Sequence, residues 1–143
     1  GTVNAGVTKS TQDGTTHSSV DAGRSMYSSN GTIYNEGLSA SNISTGTTFT
    51  TNDIIGITFN AQNGSVAFYK NGVLINTTTD SQLLYTNNQY INSAGLNQGS
   101  FDFNFGSPVY AISSGNVDSS GLGNFEYAVP EGFYSLCTKN LNL

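Results

Sequence analysis

The chain has 143 residues, of which four are Lys or Arg and nine Asp or Glu, for a formal net charge of -5. At 9% charged residues, against about a quarter in an ordinary soluble domain, its polarity comes from Ser, Thr, Asn and Gly. So few cations leave no basic footprint for a phosphate backbone or an anionic lipid surface, so neither nucleic acid nor membrane is an expected partner.

The length suits one domain with a core that needs no disulfide or metal staple. The single cysteine, Cys137, cannot form an internal disulfide. No apolar run approaches the ~20 residues of a membrane span, and the start lacks the basic-then-apolar build of a signal peptide. Beginning at Gly1 without an initiator Met, residues 1–143 are expected to be a single domain cut from a longer protein.

Up to Thr50, Gly, Ser, Thr and Asn are broken by short apolar stretches, Val3 to Val7 and Ser25 to Tyr34, which predict short strands among long loops. Thr11 to Val20 has no period and reads as an exposed loop. Asn30-Gly31 and Asn35-Glu36-Gly37 flank Ile33 and Tyr34, a short strand between turns, since Asn and Gly tolerate positive φ.

The centre is the most legible part. Asp53 to Asn60, Ser65 to Lys70 and Val73 to Ile75 are strand-like runs separated by Asn63-Gly64 and Asn71-Gly72, the signature of two successive hairpins. With two-residue turns in both, Phe59 faces Phe68 and Phe68 faces Ile75, and together with Ile57 they form the core side. Phe101, Phe103 and Phe105 alternate with Asp102 and Asn104, which predicts a strand closing the same core. A loop over Asn116 to Asn124, a Pro130-Glu131-Gly132 turn and a closing strand from Phe133 to Thr138 complete an all-β reading with no helical period.

Asp53-Ile-Ile-Gly-Ile, Asn63-Gly64-Ser65-Val-Ala-Phe and Lys70-Asn71-Gly72 resemble, in order and spacing, the D-V-I-G, N-G-x-x-x-F and K-N-G pattern of the SPRY family. Phe103-Asn104-Phe105-Gly106 resembles that family's later F-N-F-G stretch. The closing segment Pro130 to Leu141 is similar to one found in SPRY-like proteins of tailed phages. The resemblance spans Val3 to Leu141, with its specific motifs after Asp53.

It implies a bent antiparallel β-sandwich that works by binding and does no chemistry: a structural, assembly or protein-interaction module of a phage virion, in the tail, a fibre or the capsid surface. Such a chain is made in the bacterial cytoplasm and ends in the virion, partnered by other virion proteins or copies of itself. The alternative is a lectin-like module holding a host glycan or receptor. The aromatic-rich first strand of the family has no counterpart before Val3. Either upstream sequence or a neighbouring subunit supplies it, or Thr2 to Val7 takes its place in a smaller sandwich.

No catalytic, cofactor or metal residue is assigned. His17, the only histidine, lies near Asp13, Asp21, Ser18 and Ser19 without a nucleophile elbow or any triad-like spacing, and Cys137 reads as a structural residue. Asn116-x-Asp118-x-Ser120-Gly121, with Asn124 and Glu126 beyond, has the oxygen spacing of a calcium loop. Its first position is not acidic, and Tyr127 stands where the bidentate Glu belongs. The Asn-x-Ser/Thr sequons at Asn30, Asn42, Asn63 and Asn76 follow from composition. Lys70 reads as a solubilising residue at a turn. Tyr27, Tyr34, Tyr85, Asn88 and Tyr90 are the candidate recognition residues, because Tyr and Asn together make adaptable, wet binding surfaces.

Overall fold

The computed structural model describes residues 2–9, 23–35, 41–96 and 99–142. The chain divides into two compact units, Gly1–Ser100 and Phe101–Leu143, each of which is described by itself. His17, its acidic neighbours and the loop over Thr11 to Val20 lie outside the described residues.

The first unit is an all-β sandwich of two antiparallel sheets. One sheet has five strands in the order β4-β3-β2-β1-β8: β1 is Thr2–Lys9, β2 Arg24–Ser28, β3 Thr32–Asn35, β4 Ser41–Ser44 and β8 Gln89–Leu96. The other is the central meander β5-β6-β7, over Ile55–Asn60, Ser65–Lys70 and Val73–Thr79. β1 is central rather than an edge, paired with β2 on one side and β8 on the other. Among the described residues, Thr2–Lys9 therefore has a backbone partner on each side.

The two Asn-Gly turns differ. At Asn71-Gly72 both residues have positive φ, 49° and 80°, and Lys70 pairs with Val73, which is the two-residue turn whose twist matches the flanking strands. At Asn63-Gly64 the loop has four residues: Asn60 pairs with Ser65, the Gly64 amide donates to the Asn60 carbonyl at 2.8 Å, and the Asn63 side chain accepts from the Ser65 amide at 3.0 Å. A side chain at Gly64 would place its Cβ 2.0 Å from the Asp80 carbonyl oxygen, so both the backbone angle and a close neighbour demand glycine.

These turns move the predicted pairs. Phe68 lies opposite Ile57, and Phe59 opposite Val66, a slip of two that preserves the face each side chain occupies. In the second hairpin a bulge between Phe68 and Tyr69 makes Asn76, not Ile75, the partner of Phe68.

The core lies between the sheets. The Tyr27 ring from β2 sits 5.1 Å from Phe49 and 5.7 Å from Phe68 of β6, both tilted, within the range of favourable aromatic pairs. Val7, Met26, Ile33, Val66 and Leu83 are also buried. A buried polar contact joins the sheets as well, Ser25 Oγ to Thr78 Oγ1 at 2.5 Å.

The second unit contains no strand among its described residues, only an isolated antiparallel bridge between Asn116 and Phe125. The expected strands at Phe101 to Phe105 and Phe133 to Thr138 are therefore corrected to irregular chain. Phe103 is 40% exposed, not a core residue. It stacks on Phe105 with centroids 5.7 Å apart and meets Phe101 at 6.2 Å, so the alternation reflects a local aromatic row rather than a buried sheet face. The Pro130 turn forms as expected, with the Phe133 amide donating to the Pro130 carbonyl at 3.2 Å.

Candidate recognition surface and its supports

The five recognition candidates separate. Tyr27 is fully buried and its hydroxyl donates to the Thr47 carbonyl at 2.6 Å, so it belongs to the core and leaves the recognition set. Tyr34 on β3 is half-buried, with the Arg24 guanidinium carbon 5.7 Å from its ring centroid, an arrangement that engages the ring's face. Tyr85, Asn88 and Tyr90, which fall within residues 85–90 of the chain, are all exposed, Tyr85 71% and Tyr90 53%.

That stretch is held from below. Asp80, buried, accepts from the Gln82 amide at 2.8 Å and caps the short 3-10 turn Ser81–Leu83, while its other oxygen accepts from the Arg24 amide at 3.2 Å. Burial pushes the Asp80 carboxyl above its ordinary value, against the lowering effect of those two amides. The Lys9 ammonium donates to Gln82 Oε1 at 3.0 Å. The Tyr85 amide donates to the Ala61 carbonyl at 2.7 Å, and the Asn87 amide to the Leu84 carbonyl at 2.9 Å. Asn87 Nδ2 reaches the Gln82 carbonyl at 2.9 Å, and Gln89 Nε2 bonds the Leu84 carbonyl. The backbone is thus pinned while the Tyr85 and Tyr90 rings remain open to solvent, an arrangement able to stack on a flat apolar face with little loss of conformational freedom.

Sequence reasoning missed a second polar cluster. Asp53 Oδ1 accepts from Asn71 Nδ2 at 2.7 Å, and Asp53 Oδ2 accepts from the Thr50 amide at 2.9 Å and pairs with the Lys70 ammonium at 3.1 Å. Asn71 Oδ1 in turn accepts from the Ile54 amide at 2.8 Å, and Lys70 also donates to the Thr48 carbonyl at 2.8 Å. The Thr50 amide first, then the Asn71 side chain and Lys70, hold the Asp53 carboxyl below the usual range. Lys70 is a structural cation rather than a solubilising one. The signal was present in the sequence, an acid before one hairpin and Lys-Asn inside the next, but only the fold shows that the two meet.

Replacing Asn71 by Asp would set a second carboxylate against Asp53. The expected outcome is a fall of about 5 °C in the melting midpoint at neutral pH. The loss should vanish at acid pH, where one carboxyl of a like-charged pair is protonated. An unchanged midpoint would show that the cluster contributes nothing.

The calcium-like loop in the second unit is already satisfied by the chain itself. Asp118, buried, accepts on Oδ1 from the Ser120 amide and hydroxyl at 2.9 and 2.6 Å and from the Leu122 amide at 2.9 Å. On Oδ2 it accepts from the Ser135 amide and hydroxyl, both at 2.7 Å, and from Asn140 Nδ2 at 2.8 Å. Burial works against its charge, but the donors from Ser120, Ser135 and Leu122 outweigh it and hold the carboxyl far below the usual range. Glu126 is likewise engaged by the Ser113 hydroxyl and by the Ser113 amide at 2.8 Å, and is lowered by them. Both carboxylates would have to shed these donors to ligate a cation, so calorimetry with calcium is expected to register no binding that Asp118→Ala removes. Among the described residues no three His, Cys, Asp or Glu side chains gather as metal ligands.

Cys137 is half-buried, its thiol lowered first by the Ser135 hydroxyl 3.4 Å away. Among the described residues no helix is long and apolar enough to cross a membrane.

The carboxyl shifts predict an order of acid unfolding. Asp118 and Glu126 have folded values below their unfolded ones. Their stabilisation is therefore complete above the ordinary carboxylate range, about pH 4, and is lost progressively as pH falls below it. In the first unit Asp53 has the same sign but Asp80 the opposite one, so lowering the pH removes one contribution and restores the other. Hydrogen exchange, corrected for its intrinsic pH dependence, should show the Ser120, Leu122 and Ser135 amides losing protection at a higher pH than those of β2 and β6. The reverse order would contradict the assignment.

No family model matches the chain, and neither a curated protein nor a solved structure matches it.

Proposed function

We propose that the chain is a SPRY-like, non-enzymatic assembly or protein-interaction module of a phage virion. The observation that carries this reading is the meeting of the resemblance's two most specific motifs. Asp53 and Ile54 of one and Lys70-Asn71 of the other interlock through four hydrogen bonds or ion pairs in one corner of the sandwich, which supplies a physical reason for that residue pattern. The phage setting rests on the similarity of the Pro130 to Leu141 segment. A surface module is also in keeping with the pinned backbone and open tyrosines of Tyr85 to Tyr90, since function on such a scaffold lies in its surfaces. Peptide mass spectrometry of purified particles from the source phage tests the proposal. Recovery of the chain with the particle fraction in stoichiometric amount is the expected result, and recovery only with the non-particle lysate would overturn it.

The same two rings favour a second reading, a lectin-like module in which Tyr85 and Tyr90 stack on a host sugar around Asn88. A glycan array probed with the chain and with Tyr85→Ala and Tyr90→Ala separates the two readings. Glycan binding lost in both variants would establish the second.

A further inference from the structure

Among the described residues the sandwich has four sheet edges, and three of them carry devices that discourage pairing with another chain. β4 has only four residues. β5 begins beside the Asp53–Lys70 ion pair. β7 is distorted by the bulge opposite Phe68 and Tyr69. Short strands, edge charges and bulges are the usual means by which proteins keep exposed backbone from associating.

β8 has none of these. It runs eight residues, Gln89–Leu96, without a charge or a proline, and it matches β1 residue for residue from Lys9↔Gln89 to Thr2↔Leu96 with no shift. Among the described residues β1 is its only partner in the sheet. Consecutive residues Tyr90 and Ile91 are 53% and 40% exposed. Because neighbouring residues of a strand point to opposite faces, β8 is open on both faces at Tyr90 and Ile91, and among the described residues no strand pairs with its outer side. β1, by contrast, is buried on both faces from Asn4 to Thr8.

The sequence of β8 points to its occupant. Its first half is bulky, Gln89-Tyr90-Ile91, and its second half small, Ser93-Ala94-Gly95, with Asn92 between. Antiparallel pairing of the strand with itself about a twofold axis at Asn92 sets position 89 against 95, 90 against 94 and 91 against 93, so Gln89, Tyr90 and Ile91 each fall opposite a small residue, while Leu96 falls opposite Asn88, just before the strand. No charge meets a like charge, and large-against-small pairs pack across strands without crowding. A twofold contact of this kind is self-complementary and closes after two copies.

We propose that β8 is an assembly surface for a second copy of this chain, joining two five-stranded sheets into one continuous ten-stranded sheet by β-augmentation. This rests on the interaction-module reading but is tested apart from it. A virion protein can be monomeric in solution, and a twofold dimer can form in a protein of any other role.

Light scattering coupled to gel filtration on the 143-residue chain should give twice the 15.0 kDa monomer mass, shifting toward the monomer on roughly hundredfold dilution. Ile91→Lys with Ser93→Lys would bring four ammonium groups together at the axis and should give a folded monomer, with folding checked by a cooperative melt. Leu74→Lys, on the exposed end of β7, should leave the dimer intact. Hydrogen exchange on the unaltered chain covers the case in which the double variant does not fold: in the dimer the outward amides of β8 are protected, and that protection falls on dilution. A monomer at every concentration, a dimer unaffected by the two lysines, or β8 amides that exchange freely at high concentration would each overturn the proposal.

Discussion

Phe68→Ala is expected to destabilise the sandwich by about 3–5 kcal/mol, the cost of removing a fully buried aromatic ring and leaving a cavity. Phe68 is wholly buried, stands opposite Ile57 on the middle strand of its sheet and reaches across the core to the Tyr27 ring. Relaxation can fill little of the space, because Tyr27 is tied by its hydroxyl to the Thr47 carbonyl. Against a typical domain stability of about 5–15 kcal/mol, such a loss leaves a marginal fold. Phe59→Ala, at a half-buried position, should cost less, and Phe103→Ala, at an exposed one, less than about 1 kcal/mol. Urea denaturation of the three variants measures the ranking. Equal losses from Phe103→Ala and Phe68→Ala would show that the core has been placed wrongly.

The second large effect is expected from Asp118→Ala. This carboxylate gathers six donors from four residues spread between Ser120 and Asn140, in a unit with no strand among its described residues. Removing it leaves the Ser120, Leu122 and Ser135 amides and the Asn140 side chain without that acceptor, and unmade bonds of buried groups are costly. Asp118→Asn is no remedy, because one oxygen becomes an NH2 group facing the donors that the carboxylate accepted. In either variant, amide protection across Phe101 to Asn142 should fall by about tenfold or more, while β2 and β6 keep theirs. Unchanged protection would mean that the second unit is held by something other than its carboxylate.

Much of the first unit was legible in the sequence. Alternating apolar residues and Asn-Gly turns place β5, β6 and β7 nearly where they lie, and even the first hairpin's mistaken turn length preserved the core face, because a slip of two residues keeps side-chain parity. β8 was not legible. Its adjacent apolar residues Tyr90 and Ile91 both stand in solvent, so no inward-facing alternation marks the strand there. Its place is determined by pairing with β1, in which Thr2 and its partner Leu96 lie 94 positions apart in the sequence.

The candidate surface divides in the same way. Tyr27 and Tyr85 are indistinguishable as residues among Ser and Asn. One became core because β2 is covered on both sides by neighbouring strands and faces Phe68, whereas the other lies on a turn held by Asp80 and Ala61.

By itself the sequence determined the all-β class, the meander and where its turns fall, though not the length of the first, since these depend on residues close together along the chain. The tertiary structure alone decided which aromatic rings are buried, that Asp53 meets Lys70 and Asn71, that Asp118 is a structural acceptor, and that β8 ends its sheet among the described residues. Each of these depends on groups brought together from distant parts of the chain, and local pattern carries no record of that distance.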